Sequence, residues 1–273
     1  MHNPRKLMTP SSITPWLQSW KALHLAKLLV LCLVFFSWSL PVHAATNSRV
    51  SARLESQVLQ IIRDHPEVIL ESVQAYQQQQ YEQQQQAQQA FLQEMKANPQ
   101  GMIGESPATG ASEQKIVLLE FSDFQCPYCS QMHQRLKEFM ANHQREVTLV
   151  YKHFPLSTIH AEAMPAAKAA WAAGQQGKFW QYQDALFTQQ DKLGEELYVA
   201  TAKTLNLDME QFNRDRSGDA ASTAIQQDMV MAQRLGIAGT PFFVMNGEAF
   251  SGAVQLSDME DVLAHVTQLS SDS

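Results

Sequence analysis

A Cys-Pro-Tyr-Cys sequence stands where a short apolar run gives way to a helical pattern. Residues 116–121 (IVLLEF) are predicted to form a buried strand, because the run is apolar and contains β-branched members. From Cys126 onward the pattern becomes helical, and residues 147–151 (VTLVY) predict a second strand. A strand, helix and strand of this length predict a parallel pair joined by a right-handed crossover.

The rest of the second half also has clear helix and strand patterns. Residues 160–235 contain only helical patterns. Two short apolar runs, 242–245 and 248–251, flank an Asn-Gly pair, which is a strong hairpin signal. A closing helix is predicted over 257–269. The predicted order is a βαβ unit, a helical insertion and a ββα unit, which belongs to the α/β class.

The first 44 residues have the three parts of an export signal. Four basic residues precede the apolar run Leu28–Leu40, and Ala44 offers a small residue at the cleavage position. We therefore expect a secreted protein, periplasmic or otherwise exported, that begins after residue 44. The alternative is an uncleaved membrane anchor, although the apolar run is short for a spanning helix of about 20 residues.

Cleavage changes both the charge and the cysteine count. It removes four basic residues and no acidic ones, which takes the formal net charge from −7 to −11. Such acidity gives no support to nucleic-acid binding. Cys32 leaves as well, so Cys126 and Cys129 are the two thiols that remain. Disulfides persist outside the cytosol, yet a pair this close would close only a tiny loop, which favours a chemical use over a structural one.

Residues 45–98 are predicted to form a helical arm. Apolar side chains recur at helical spacing within 49–97, with a break expected at Pro66. Residues 77–89 hold ten glutamines in thirteen and have almost no apolar face. Two interpretations stay open, a solvated helix or an arm that packs against a second subunit. Residues 99–112, rich in Gly, Ser, Pro and Ala, are predicted to be a linker.

The position of the cysteines at a helix start predicts their chemistry. A helix N-terminus has unpaired N–H groups and a positive dipole end, which favour a thiolate and lower the pKa of a thiol there. Cys126 is predicted to be the exposed nucleophile and Cys129, one turn deeper, the resolving thiol. Pro127 holds the turn, and Tyr128 adds no fixed charge.

These residues resemble a known family. Phe124 to Cys129 (FQCPYC), the downstream 239–243 (GTPFF), the segment 152–156 (KHFPL) and the helical insertion are similar to DsbA-like thiol:disulfide oxidoreductases of the thioredoxin superfamily. The resemblance covers about 114–268. It implies a thioredoxin-like fold over 113–273 with an inserted helical domain at about 157–235, preceded by the N-terminal helical arm.

The resemblance also implies roles for particular residues. In that family the proline matching Pro241 is cis and lies beside the dithiol, and Thr240 and Pro241 present backbone groups to the substrate, with Thr240 tuning the redox poise. The counterpart of Glu120 helps to move the proton of the buried thiol, so Glu120 is expected to serve Cys129. A solvated carboxylate at the strand end is the alternative. A pairing of Lys152 with Glu120 across adjacent strands is a further expectation.

The implied activity is oxidation of unfolded exported proteins by the Cys126–Cys129 disulfide, with no separate cofactor. A quinone-linked membrane partner would then reoxidise the dithiol. One rival is an oligomeric isomerase or reductase fed by a thiol reductant, because Thr before the cis-proline and an N-terminal arm both occur in such relatives. The other rival is a copper-handling or metal-binding protein using Cys126, Cys129 and His133. A closed zinc site needs four ligands, and His133 is more simply a helix-surface histidine.

Overall fold

The computed structural model describes residues 51–271, in which a five-stranded mixed sheet has the order β1-β3-β2-β4-β5. The predicted signal segment 1–44, with Cys32, lies outside the described residues. The strands are β1 Ala108–Gly110, β2 Ile116–Ser122, β3 Val147–His153, β4 Phe242–Met245 and β5 Glu248–Ser251.

Helices cover most of the remaining chain. The two helices of the arm are α1 Ala52–Asp64 and α2 Pro66–Ala97. Helix α3 (Pro127–His143) joins β2 to β3, and the closing helix α9 is Leu256–Ser271. The insertion between β3 and β4 holds α4 Ala163–Gly174, α5 Phe179–Thr188, α6 Glu195–Thr204, α7 Met209–Ser217 and α8 Asp219–Arg234. The predicted α/β class, thioredoxin-like fold and helical insertion are confirmed.

Strand β2 lies at the centre of the sheet. It runs parallel to β3, with Glu120 opposite Tyr151, and antiparallel to β4, with Glu120 opposite Phe243. Asn246 and Gly247 have positive φ angles of 45° and 92°, which the tight turn between β4 and β5 requires. All seven residues of β2 are buried, so any polar side chain on this strand is removed from water.

Residues 99–112, expected to be a linker, are partly regular. A 3-10 turn occupies Pro99–Met102, and β1 pairs antiparallel with β3, placing Ala108 opposite Val150. Without β1 the outer side of β3 would leave backbone groups unpaired at the sheet edge. A strand of three exposed residues has no apolar pattern, which is why composition alone indicated a linker.

Alternate residues of β2 face two cores. Val117, Leu119 and Phe121 join a core that includes Phe91 and Met95 near the end of α2. On the other face, Ile116 and Leu118 pack in a core whose helical members come from α3 and α9: Met132, Leu136, Phe139, Met259, Leu263 and Val266. The sheet is therefore covered by helices on both faces.

The insertion builds a third core that reaches the cysteines. Its members include five of the seven alanines of α4, Tyr182 and Tyr198, together with Phe124, Cys126 and Cys129. The Tyr182 hydroxyl donates to the carbonyl oxygen of Tyr198 at 2.9 Å, which satisfies a buried polar group within this core. One side of the dithiol is thus set by the insertion.

The arm is divided between two structural units, one ending at Pro66 and the other beginning at Glu67. Helix α1, in the first unit, is capped by the Ser51 hydroxyl and has no buried side chain. In the second unit, α2 buries Phe91 and Met95. Among residues 51–271, no helix has both the length and the apolar character to cross a membrane.

Candidate functional site

The dithiol stands at the start of α3, as the sequence predicts. Cys126 is the N-cap residue, with extended backbone, and Pro127 occupies the first turn, where its missing N–H costs nothing. Both cysteines are free thiols and both are buried, Cys126 with 4% exposure and Cys129 with 0%, so the expectation of an exposed Cys126 is wrong. Tyr128, between them, is 61% exposed. The helix therefore turns an aromatic ring to solvent while it covers the two sulfurs.

The Cys126 thiol is held in a setting that favours its thiolate. A hydrogen bond from the Cys129 thiol is the largest cause that lowers the pKa of Cys126, which falls to about 5. Thr240 and the backbone N–H groups of Tyr128 and Cys129 add smaller effects, and burial opposes them. This is the direction expected for a thiol at a helix N-terminus. Cys126 is chemically equipped to attack, or to leave, as a thiolate.

The pKa of the second thiol, that of Cys129, changes in the opposite direction. Burial raises the pKa of Cys129 well above its usual value, and the neighbouring negative charge on Cys126 raises it further. A proton is therefore held on Cys129 while Cys126 is ionised. Chemistry at Cys129 requires a base to take that proton and an acid to return it.

The Thr240–Pro241 segment comes directly before β4 and lies against the first cysteine. The Thr240–Pro241 peptide bond is cis, and the Cys126 thiol donates to the carbonyl oxygen of Thr240 at 3.3 Å. The Pro241 carbonyl accepts from the Gly252 N–H at 2.9 Å, which ties this turn to the end of β5. The structure thus brings together Cys126 and Thr240, which are 114 residues apart in sequence.

Glu120 is fully buried inside β2, so the alternative of a solvated carboxylate is wrong. Within the described residues, neither of its side-chain oxygens has a hydrogen-bond partner. Burial raises the pKa of Glu120 to about 7, and the nearby Ser122 hydroxyl offsets part of this rise. A carboxyl group that titrates near neutral pH can both take and give a proton.

The expected pairing of Lys152 with Glu120 is wrong. Lys152 lies opposite Phe121 in the register of the two strands. Its ammonium group donates to the carbonyl of Ile103 at 3.0 Å and to Ser106 at 2.8 Å, and it lies 3.4 Å from Asp228 of α8. Alternation along a strand sends neighbouring side chains to opposite faces, so one residue of register separates the two groups.

Sequence reasoning did not identify Asp123, which braces the loop before the dithiol. Its carboxylate accepts from the Gln125 N–H at 2.8 Å, from the Leu156 N–H at 3.0 Å and from the His160 ring at 2.7 Å. An Asp that bonds the N–H two residues onward is a recognised turn signal, so the local bond could have been predicted. The links to the loop after β3 could not.

Gln190, in the insertion, was also missed. Its side-chain amide donates to the carbonyl oxygens of Phe124 at 2.7 Å and Cys126 at 2.9 Å. No sequence signal separates this glutamine from its polar neighbours, because its role depends on a contact 64 residues away. The insertion therefore fixes the backbone of the first cysteine directly.

His133 is not a surface histidine. It is 4% exposed, and its Nε2 lies 2.8 Å from an Asp184 carboxylate oxygen. In the described part of the chain, no three side chains of the metal-binding types come together as a site for an ion. The metal-handling rival, which needs His133 beside the two thiols, therefore gains no support from the structure.

A thioredoxin-like sheet that carries a dithiol at a helix start, beside a cis-proline, defines the class of thiol–disulfide exchange proteins. Residues 117–264 match the family model described as DSBA-like thioredoxin domain. The chain belongs to this family of DsbA-like thiol–disulfide oxidoreductases.

Solved structures agree with this assignment. A thioredoxin-like oxidoreductase from Silicibacter pomeroyi DSS-3 is 32% identical, with a TM-score of 0.56, and the match covers 60% of this chain and 94% of that one. ScsC of Proteus mirabilis, in a transitional conformation, is 21% identical, with a TM-score of 0.57, over 78% of this chain and 95% of that one. The second likeness shows the fold.

Curated relatives match over one domain-sized segment. The Na(+)/H(+) antiporter NhaA 3 of Salinispora tropica is 34% identical over 143 residues, which is 52% of this chain. The chain spans 22% of the length of that relative. The similarity is thus to a minor part of the antiporter sequence.

Proposed function

We propose that the protein is an exported oxidase that introduces disulfides into exported proteins through Cys126 and Cys129. The observation that carries this proposal is that the pKa values of the two thiols change in opposite directions. The pKa of Cys126 is lowered to about 5, while that of Cys129 is raised. A stabilised Cys126 thiolate favours the reduced enzyme. An enzyme whose reduced form is stabilised is an oxidant toward its clients.

The proposed reaction is two successive thiol exchanges. A client thiolate attacks Cys126 of the enzyme disulfide, so a client–Cys126 bond forms and the Cys126–Cys129 bond breaks. Cys129 leaves as a thiolate and takes a proton from Glu120. A second client thiolate then attacks the client sulfur, and Cys126 leaves as its stabilised thiolate. The client loses two electrons, and the enzyme dithiol gains them.

Other groups at the site fit the same proposal. The exposed ring of Tyr128 and the backbone of Thr240 and Pro241 would meet the client segment that carries the attacked cysteine. Unfolded exported proteins are the proposed clients, and a quinone-linked membrane protein is the proposed reoxidant. A periplasmic or otherwise exported location, after removal of residues 1–44, follows from the predicted signal and from the need for an oxidising compartment.

The reduction potential of the Cys126–Cys129 pair tests the direction of the reaction. The protein lacking residues 1–44 is equilibrated with glutathione buffers, and the oxidised fraction is counted by thiol alkylation. We expect a potential nearer roughly −120 mV than roughly −270 mV, the values typical of a strong oxidant and of a reductant. A value at the reducing end would overturn the oxidase proposal.

A second candidate is an oligomeric isomerase or reductase of the same family. The observation that favours it is the exposed apolar surface of helix α1, where Leu54, Val58 and Ile61 are 51%, 44% and 61% exposed. Such a surface suits self-association, which would bring several dithiols to one client. Reactivation of a scrambled-disulfide client, compared with oxidation of a reduced one, separates this candidate from the oxidase.

A further inference from the structure

The side chain of Gln190 reaches from the insertion to the backbone of the dithiol loop. Gln190 opens the 3-10 turn Gln190–Lys192 that follows α5, and its amide nitrogen lies 2.7 Å from the carbonyl oxygen of Phe124 and 2.9 Å from that of Cys126. A carbonyl oxygen can only accept, so each takes one of the two N–H groups of the amide. One uncharged side chain thus ties together the residues on either side of Gln125.

The Cys126 carbonyl is where the insertion and the redox helix meet. It belongs to the N-cap residue of α3, and it also accepts from the N–H groups of Cys129 at 3.1 Å and Ser130 at 3.2 Å. Three donors therefore converge on one oxygen, two from the helix and one from the insertion. They restrict rotation of the peptide group between Cys126 and Pro127, and hence the direction in which the Cys126 sulfur leaves the backbone.

Further contacts hold the two elements at this spacing. The Ser130 hydroxyl donates to the Phe187 carbonyl oxygen at 3.1 Å, and the ring centroids of Phe124 and Phe187 lie 5.0 Å apart. The turn that carries Gln190 is itself closed, because the Leu193 N–H donates to the Gln190 carbonyl oxygen at 3.3 Å. Gln190 is therefore presented to the dithiol loop from a fixed support.

The direction of the Cys126 sulfur matters for thiolate formation. As an N-cap residue with extended backbone, φ −72° and ψ 121°, Cys126 stands where a capping side chain meets the first unpaired N–H groups of a helix. The Cys129 thiol lowers the pKa of Cys126 most, and the N–H groups of Cys129 and Tyr128 add to that effect. Such hydrogen bonds weaken steeply when their angles are disturbed.

We propose that Gln190 is a positioning residue for thiol exchange, which keeps the Cys126 sulfur directed at the N–H groups that begin α3. This inference rests on the proposed function, in which Cys126 leaves the client as a thiolate. Gln190 acts through the backbone of Cys126 and not through charge, because its side chain is neutral. The insertion thereby helps to set how strongly the dithiol oxidises a client.

The first test is the pH titration of the Cys126 thiolate. In reduced protein lacking residues 1–44, the ultraviolet absorbance of the thiolate is recorded from about pH 3 to 8, with Cys126→Ser as the blank. Cys129 keeps its proton in this range because burial raises its pKa. Gln190→Met retains the length and neutrality of the side chain and removes both donors. We expect its thiolate-to-thiol ratio at a given pH to fall about tenfold, which is one pKa unit.

The same variant should be a weaker oxidant. The equilibrium constant of the enzyme disulfide with glutathione is expected to fall by the same factor, which moves the potential about 30 mV toward the reducing end. The charged groups that bond this loop, Asp123 with His160, are the same in both proteins, so their charges cannot cause the difference. Gln190→Lys, whose ammonium group can donate to the same carbonyls, is expected to keep the thiolate at least as stable as in wild type.

A second glutamine of the insertion is the matched control. Gln176, just after α4, donates to the Asp208 carbonyl oxygen at 3.1 Å and accepts from the Asp208 N–H at 2.8 Å, so Gln176→Met also removes two bonds to backbone. We expect the Cys126 titration and the potential of this variant to stay at wild-type values. Wild-type titration in Gln190→Met, an equal change in Gln176→Met, or a fall of the thiolate fraction in Gln190→Lys would overturn the positioning role.

Failure of this inference can be told apart from failure of the proposed function. The oxidase proposal depends on the potential of wild-type protein, whereas the role of Gln190 depends on the difference between wild type and Gln190→Met. An oxidising wild type with no such difference rejects the positioning role alone. A reducing wild type rejects the oxidase, and a tenfold difference measured in that protein would still support the role of Gln190.

Discussion

At the scale of single residues, the molecule keeps a carboxyl group where water does not solvate it. Glu120 sits at 0% exposure on the central strand, and its pKa is raised to about 7. Between pH 4.5 and 7 the folded protein binds a proton there that the unfolded chain has released. The stability associated with this group is therefore complete below the unfolded pKa and is lost as the pH rises to about 7.

Replacing Glu120 by the neutral amide should remove this pH dependence. At pH 8 we expect the reduced Glu120→Gln protein to be more stable than the reduced wild type by about 3 kcal/mol, since a pKa unit corresponds to about 1.4 kcal/mol. At pH 4 the two should be nearly equal. Urea unfolding of both proteins from pH 4 to 8 measures the difference.

Glu138→Gln is the matched control, because Glu138 is exposed on α3 and stays in solvent on folding. Its stability should follow that of wild type at every pH. A Glu120→Gln protein with the same pH dependence as wild type would contradict the buried, protonated carboxyl.

Substitution of each cysteine should have a different effect on the mixed disulfide with a client. Cys129→Ser keeps the nucleophile and removes the resolving thiol, so a mixed disulfide between Cys126 and a client should accumulate. Cys126→Ser should form none, because the lowered pKa belongs to the first thiol. Non-reducing gels of each variant, mixed with a disulfide-bearing client, show the adduct. An adduct in Cys126→Ser alone would reverse the assigned roles.

Prediction of the site from sequence succeeds where the signal is local. Cys126 and Cys129 are three residues apart at a strand–helix junction, and Glu120 lies within an apolar run. The local sequence therefore predicts the surroundings of each of these side chains. Lys152 was assigned to the wrong carboxylate because its partner, Asp228, is 76 positions away on another element. Gln190 carries no signal, since its contact exists only after the insertion packs.

At the scale of elements, a buried ion pair joins β3 to α8. Lys152 is 3% exposed, and Asp228 accepts from the His153 N–H at 2.9 Å and from Ser106 at 3.1 Å. One carboxylate therefore satisfies groups on a strand and on the segment before β1. The pair matters for stability chiefly because removal of one partner leaves the other charge unpaired in an apolar setting.

Asp228→Ala should be strongly destabilising. It leaves the buried Lys152 ammonium without its counter-ion and the His153 N–H without its acceptor, and we expect a loss of about 3 to 5 kcal/mol. Urea denaturation at pH 7 measures the loss.

The double variant Lys152→Met with Asp228→Leu should lose less than Asp228→Ala, because no buried charge is left unpaired. Glu113→Ala, which breaks the exposed pair with Lys115, should have no measurable effect. Equal losses in the single and double variants would show that the unpaired Lys152 charge is not the cause of the destabilisation.

The elements differ in how well sequence predicts them. The hairpin of β4 and β5 is found by its Asn246-Gly247 turn, and the break at Pro66 marks where α2 begins. Strand β1 was missed because its three residues are exposed and have no alternation. It exists because the edge of β3 offers backbone partners, which is a tertiary cause.

At the scale of the whole molecule, the arm's exposed apolar face raises the question of assembly. Helix α1 has no buried side chain in the described chain, yet Leu54, Val58 and Ile61 are apolar and recur at helical spacing. If α1 joins copies of this chain, replacement of these residues by glutamine should convert an oligomer to a monomer. Sedimentation velocity on the chain lacking residues 1–44 gives the result.

The matched control replaces polar α1 residues, Gln57 and Gln60, by alanine, which should leave the sedimentation coefficient unchanged. The catalytic domain should stay folded in both variants, since its cores contain no residue of α1. A monomeric wild-type protein would contradict the oligomeric isomerase candidate and leave the oxidase proposal in place.

Helix α2 has one fixed end. Phe91 and Met95 anchor it in the core beneath the sheet, and Lys96 lies 4.0 Å from Glu248, whereas every residue from Pro66 to Gln83 is exposed. At 1.5 Å per residue this exposed stretch is about 27 Å long. A partner bound at the first turn of α2, at Glu67, would be held 24 residues, or about 36 Å, from the anchor at Phe91.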